Sequence, residues 1–203
     1  MQELPRTLKA SDRERAVDVL AQAFADDPLW CHLVPGAAER RQTLPLLFHA
    51  EVGSSIQERE ALGLGDPVQA VALWTFPPSA ATLNIGGVFS TYGRLLVSRY
   101  LPLLLRTLRL YQHCLTLQRH YATQPHYYLD TLGVLPSAQG HGYASALVRP
   151  MLEECDRLGV GCYLETLKAA KVALYEHWGF ECCEDYLVPR TNLHIWAMYR
   201  RSS

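Results

Sequence analysis

The chain has 203 residues, 49% of them apolar, and a formal net charge of −1. That length suits one domain able to bury its own core, and that composition excludes a disordered chain. The near-zero charge excludes a global pull toward nucleic acid or an anionic membrane surface.

In chain order, "LPRTLKA" reads as a short first strand. Ser11-Asp12-Arg13-Glu14 fits a capping box, and Val17, Leu20, Ala21 and Phe24 then mark one helical face. Pro28 is expected to end that helix. Asp26 and Asp27 would sit at its C-terminal end, where the helix dipole disfavours anions. They either attract a cationic amine or serve a turn or an ion pair. A second helix is expected over Ala38 to Val52. "SIQEREAL" and "AVALWTF" then read as a hairpin around Gly63, Gly65, Asp66 and Pro67. Trp30 and Trp74 are candidates for the wall of an acceptor pocket, with plain core packing as the alternative.

After Pro77-Pro78, residues 79–124 read as a mostly helical insert rich in leucine and arginine. Its apolar stretch "LLVSRYLPLLLRTLRLY" is interrupted by Arg99, Arg106 and Arg109, which argues against a transmembrane helix. These arginines and Arg94 fit a solvated helix face, with one of them a candidate for a phosphate contact. His113, Cys114, His120 and His126 match no zinc-ligand spacing, so no metal is expected. The strand "YYLDTLGV" (127–134) follows, then a loop, a helix over 142–158 stopped by Gly159, and the strand "CYLET" (162–166). Pro150 lies inside the helix and should kink it. A short helix from Ala169 to Trp178 leads to two last strands, "GFECCEDYLV" and "LHIWAMYR". Strand, glycine-bearing loop, helix and parallel strand imply a right-handed crossover. The cysteines at 31, 114, 155, 162, 182 and 183 show no C-x-x-C spacing, and the chain start has no apolar signal core. Free thiols in a reduced cytoplasmic setting are the expectation.

The loop "SAQGHGYAS" is the most pointed segment. Glycines ahead of a helix start let an anion approach unpaired N–H groups. A nucleotide-triphosphatase loop would need a lysine, and this one has none. A dinucleotide turn would begin at the strand end, but Leu135 to Gln139 intervene before the first glycine. Only 38 residues follow Glu165, too few for the remaining strand–helix units of that fold.

Gln139-Gly140-His141-Gly142-Tyr143-Ala144 matches Q/R-x-x-G-x-G/A and resembles the pyrophosphate loop of the GNAT acyltransferase superfamily. "LGV", "LET" and "LYEHWGF" accompany it across residues 127–180. More loosely, "AQAFADDP", "VALWTFPP" and the closing "WAMYR" resemble the puromycin N-acetyltransferase branch. The resemblance implies an α/β (α+β) acyltransferase fold: one domain over 1–203, with a mixed sheet of about seven strands splayed between 127–134 and 162–166. It implies acetyl-CoA as co-substrate, bound by a core at 127–180. Backbone groups of Leu132, Gly133 and Val134 would pair with the pantetheine arm, and an N–H near Val134 would meet the thioester oxygen. The amides from Gln139 through Gly140, His141, Gly142, Tyr143, Ala144 and Ser145 would cradle the pyrophosphate. Tyr175 would act as general acid, and its ordinary pKa near 10 suits that role. Glu165 is the first choice of base, sharing a strand face with Tyr163. Its alternatives are a structural ion pair or a water chain. Lys171 stands where the family often carries an asparagine that contacts the cofactor.

The expected function is acetylation of a small-molecule primary amine by a monomer or homodimer, without nucleic acid or membrane. The rival is a non-catalytic CoA sensor or partner-binding module on the same fold.

Overall fold

The computed structural model describes residues 4–58, 60–76, 101–189 and 191–203. Seven strands form one sheet in the order β1-β2-β3-β4-β5-β7-β6. They are β1 (Arg6–Thr7), β2 (Ala61–Leu64), β3 (Ala70–Thr75), β4 (His126–Val134), β5 (Gly161–Thr166), β6 (Glu181–Leu187) and β7 (His194–Arg200). Only the central β4–β5 pair is parallel. The helix α5 (Tyr143–Leu158) is the crossover between those two strands. The other helices are α1 (Arg13–Ala23), α2 (Pro28–Leu33), α3 (Ala37–Glu58), α4 (Leu101–Tyr121) and α6 (Ala169–His177).

The centre of the sheet is buried on both faces, and β3 shows why its sequence is apolar throughout. Ala70, Ala72 and Trp74 join Leu147, Leu152 and Met198 in the core under α5. Val71 and Leu73 point the other way and pack with Leu20, Phe48 and Val52 of α1 and α3. Alternation at period two thus supplies two cores from one strand.

Several boundaries differ from the sequence expectation. The first strand shrinks to Arg6–Thr7. Ser11 caps nothing: residues Ala10–Asp12 make a 3-10 turn, and the Asp12 carboxylate accepts from the Lys9 amide at 2.8 Å while pairing with Arg6. Pro28 opens α2 rather than closing α1, which already ends at Ala23. Asp27 is the N-cap of α2 and accepts from the Leu29 amide at 3.0 Å, so its helix end favours its charge. "SIQE" is the last turn of α3, because Phe48, Val52 and Ile56 repeat at four-residue spacing on the buried face. Of the expected insert, 101–121 is helical and 77–100 lies outside the described residues.

Arg200 ties the C-terminal half together. Its guanidinium grips both oxygens of Asp156 on α5, at 2.8 and 2.7 Å, and donates to the Trp178 carbonyl just after α6, at 3.1 Å. The Ser203 amide adds a bond to Asp156 at 2.9 Å. This bonding, led by Arg200, holds the Asp156 pKa down to about 2. A depressed carboxylate contributes stability at pH values above its unfolded pKa and loses it as pH falls through the folded value. Arg200→Ala should therefore cost about 1–3 kcal/mol at pH 7 in urea denaturation. The difference between the two proteins should fade as pH falls from about 4 toward 2. Equal midpoints at pH 7 would refute the role of this pair.

Candidate active site

The parallel strands pair only where His126, Tyr127 and Tyr128 meet Gly161, Cys162 and Tyr163. From Leu129 to Val134, β4 pairs with no strand but β3. Its other edge, where the Val134 carbonyl accepts from the Gln139 side-chain amide at 3.2 Å, otherwise offers backbone groups without a strand partner to a cleft of about 1040 Å³. Leu132, Gly133 and Val134 all line it. Gly133 has a packing reason as well, since a Cβ there would come within 2.6 Å of Leu20.

One end of the cleft is the loop before α5. Gly140 and Gly142 take φ of 80° and 81°, in the left-handed region that favours glycine. A Cβ at either would meet no atom within 4 Å, so it would project into open space beside the loop. Backbone bonding stops at the long Gln139 N–H to Pro136 contact, 3.5 Å, and resumes with Ala146 donating to Gly142 at 3.0 Å. The amides of residues 140–145 lie between, at a helix start where the dipole is positive. Gln139, Gly140, Gly142, Tyr143, Ala144 and Ser145 line the cleft. The His141 ring turns back, its Nδ1–H donating to the Gln139 carbonyl at 2.9 Å.

Tyr175 on α6 is buried against Trp178 and Phe180 and reaches the cleft wall. Burial, reinforced by the charge of Asp27, pushes its phenol up to about 12. Asp27 also lines the cleft and pairs with Lys168 at 3.3 Å. Lys171 is exposed one helical turn before Tyr175, on the same wall.

The other end is acidic, and a bulge in β4 creates it. Leu73 pairs with Thr131 but Trp74 pairs with Leu129, so Asp130 is the extra residue. Leu129 before the bulge packs under α5, whereas Gly133, four residues on, faces α1. Beside the bulge, Thr131 donates to Glu51 of α3 at 2.7 Å, and Thr75 donates to Asp130. Across the gap, the Tyr128 hydroxyl donates to Glu165 at 2.6 Å. Glu165 makes no ion pair among the described residues, and its other oxygen is buried without a hydrogen-bond partner. Burial lifts its pKa to about 7, tempered by Tyr128 and by the nearby Tyr163, which stands outside hydrogen-bond geometry. Glu60 is likewise raised to about 7 by burial. Asp130 is pushed well up by burial and by the charges of Glu51, Glu165 and Glu60, yet its surface stays open to the cleft.

Of the predicted residues, the structure brings the loop, the β4 edge, Lys171, Tyr175, Glu165, Asp27 and Trp30 around one cleft. It leaves two out. Trp74 is fully buried under α5, because alternation along β3 turns it away from the cleft. Asp26 is almost fully exposed, with Arg40 at 3.6 Å. Sequence reasoning missed Glu51, Glu60 and Asp130. Asp130 stood inside the quoted strand "YYLDTLGV", and an acid there was the available signal. His126 bonds Gln118 and the Gln124 carbonyl, and the described residues hold no group of three or more metal-ligating side chains.

The model of the Acetyltransferase (GNAT) family matches residues 108–180. An uncharacterized N-acetyltransferase of Schizosaccharomyces pombe is 25% identical over 94% of this chain and 79% of its own length. A Corynebacterium glutamicum structure described as histone acetyltransferase HPA2 and related acetyltransferase superposes with a TM-score of 0.69 at 22% identity, over 100% of this chain and 98% of that one. Arylalkylamine N-acetyltransferase 2 of Aedes aegypti gives 0.64 at 15% identity, over 99% of each chain. The PaiA N-acetyltransferase of Thermoplasma acidophilum, solved with coenzyme A, gives 0.58 at 12% identity, also over 99% of each. The splayed seven-stranded sheet and the likeness to these structures along the whole chain show a GNAT acetyltransferase fold, and the family match covers its centre.

Proposed function

We propose that this protein transfers the acetyl group of acetyl-CoA directly to a primary amine of a small molecule, with Tyr175 as general acid and Glu165 as base. The observation that carries the reading is one cleft joining the free amides of 140–145, the unpaired edge of β4, Tyr175 and Glu165. The fit to the cofactor rests on Gly140 and Gly142, whose missing Cβ atoms leave the loop open to a diphosphate. Acetyl-CoA supplies an activated acyl carbon and a thiolate leaving group. Leu132, Gly133 and Val134 would hold its pantetheine arm as they would an added strand. Lys171, on the α6 wall of the cleft, would reach the cofactor's polar groups. The likeness to the puromycin N-acetyltransferase branch concerns the arrangement of segments and carries no acceptor with it.

Each residue answers a chemical need. An amine attacks only when neutral, so a proton must leave it. Glu165, with a pKa near 7 and an unpartnered oxygen, is ionised enough at neutral pH to accept that proton. A leaving thiolate benefits from a donor, and a phenol pushed up to about 12 still holds its proton at pH 7. An amide of the open β4 edge polarises the acyl oxygen. Burial keeps the phenol protonated, with the charge of Asp27 adding to it, and Asp27 also caps the start of α2.

Calorimetry with acetyl-CoA tests the cradle directly, and an absence of binding at millimolar concentration would remove the proposal. Gly142→Ala should weaken that binding about tenfold or more, because the new methyl enters the cradle and strains a left-handed backbone by about 1–2 kcal/mol. Tyr175→Phe should slow turnover by about 10²–10⁴ with acetyl-CoA affinity little changed. An unaltered rate would strip Tyr175 of its role. The log of kcat/KM should rise with pH and level off above about 7, as Glu165 loses its proton. Glu165→Gln should abolish that limb, and its persistence would assign the base elsewhere.

A further inference from the structure

Three carboxylates face the acceptor side of the cleft in the same manner. Glu51 is held by Thr131, Asp130 by Thr75 and Glu165 by Tyr128. Each donor is a neutral hydroxyl and occupies one oxygen. The second oxygen of each has no hydrogen-bond partner among the described residues, and that of Glu165 is fully buried. Glu60 stands nearby, buried, accepting from the Phe76 amide at 3.3 Å. Among the described residues lining the cleft, the cations are Lys168, engaged by Asp27, and Lys171 on the opposite wall with Tyr175.

This arrangement exceeds what deprotonation requires. One carboxylate is enough to take a proton from one amine. Additional carboxylates sharing a partly desolvated space repel one another and cost stability unless a cation joins them. The hydroxyls fix their geometry without neutralising them, which is how a site is shaped in advance for a positive group. Apolar side chains complete the wall, among them Phe24, Trp30, Leu47, Phe48 and Leu110. They suit a methylene chain better than a polar scaffold.

We propose that the acceptor is a dication: a primary alkylamine carrying a second cationic head on an aliphatic tether. Its reacting nitrogen meets Glu165, and its second head is bound by Glu51 and Asp130. An ammonium brings three donors and a guanidinium five, enough to engage both free oxygens. The inference rests on the reading of the cleft as an amine acetylation site.

The test compares α,ω-diaminoalkanes with n-alkylamines of matched length at constant ionic strength, read as thiol release with acetyl-CoA. The best diamine should exceed its monoamine by about tenfold or more in kcat/KM, mainly through KM. Glu51→Gln and Asp130→Asn, each checked for an unchanged circular-dichroism spectrum, should reduce that ratio at least about tenfold. A wild-type ratio near one overturns the inference, as does a ratio that survives both substitutions. If neither amine series releases thiol, the acetylation reading fails separately, and calorimetry of the same diamines with the CoA-loaded protein decides the site. Binding that weakens in both variants upholds a dication site, and no binding, or binding indifferent to both, overturns it.

Discussion

The whole site depends on two parallel strands that start together and cannot stay together. β4 and β5 share three residue pairs and then part. A bulge adds local twist and bends its strand, and Asp130 supplies one two residues beyond the last shared pair. On the β5 side, Tyr128 and Glu165 bridge the beginning of the gap with a hydrogen bond rather than a backbone ladder. Past that bridge β4 becomes an edge in the middle of a sheet. An edge normally invites unwanted pairing. Here α1, α5 and α6 wall it in, so that a narrow extended ligand can reach it and a second sheet cannot.

The gap also sorts charge along its length. At the loop end, main-chain amides and a helix start present partial positive charge, and glycine lets an anion come close. At the other end, hydroxyl-held carboxylates present negative charge. In the proposed reaction, a donor with a diphosphate and an acceptor with an amine would therefore enter the same cleft with opposite preferences for its two ends. Tyr175 and Glu165 belong to walls on either side of the line where those preferences meet. Arg200 contributes at a distance: by joining α5 to the turn after α6, it fixes the helix that carries Tyr175.

The parts legible in the sequence are those whose backbone geometry dictates residue type. Gly140 and Gly142 announce a left-handed loop, Gly159 announces a helix stop, and the crossover from 127 to 166 follows from strand, loop and helix in succession. Alternation also placed Glu165 and Tyr163 on one face. The same rule fails for β4, because a bulge leaves no mark in a strand of otherwise ordinary pattern. Once Asp130 is squeezed out, every later side chain changes face, and only pairing with β3 reveals it. Trp74 illustrates the same limit: its strand is apolar on both faces, so composition gives no hint of which core it joins. Glu51 was hidden for a different reason. It lies inside the expected helix, but its partner, Thr131, is 80 residues away.

That acidic end gives the cleft a thermodynamic character of its own. A carboxylate whose folded pKa lies above its unfolded value contributes stability at low pH and loses it as pH rises through the folded value. Glu60 and Glu165 both reach about 7, so between the ordinary carboxylate range and neutrality the fold gives up stability at each. A protein selected for stability alone would place an arginine, or a neutral amide, among these residues. The neutral hydroxyls of Thr75, Thr131 and Tyr128 do neither. They hold the carboxylates in position and leave their charge for something that arrives from outside. The hydroxyls stabilise the ionised forms in part, and a bound cation would add to this, which would couple its binding to ionisation of Glu165. If Glu165 is the base, as proposed, one that loses its proton most readily when a cation is at hand would suit amines that carry more than one charge.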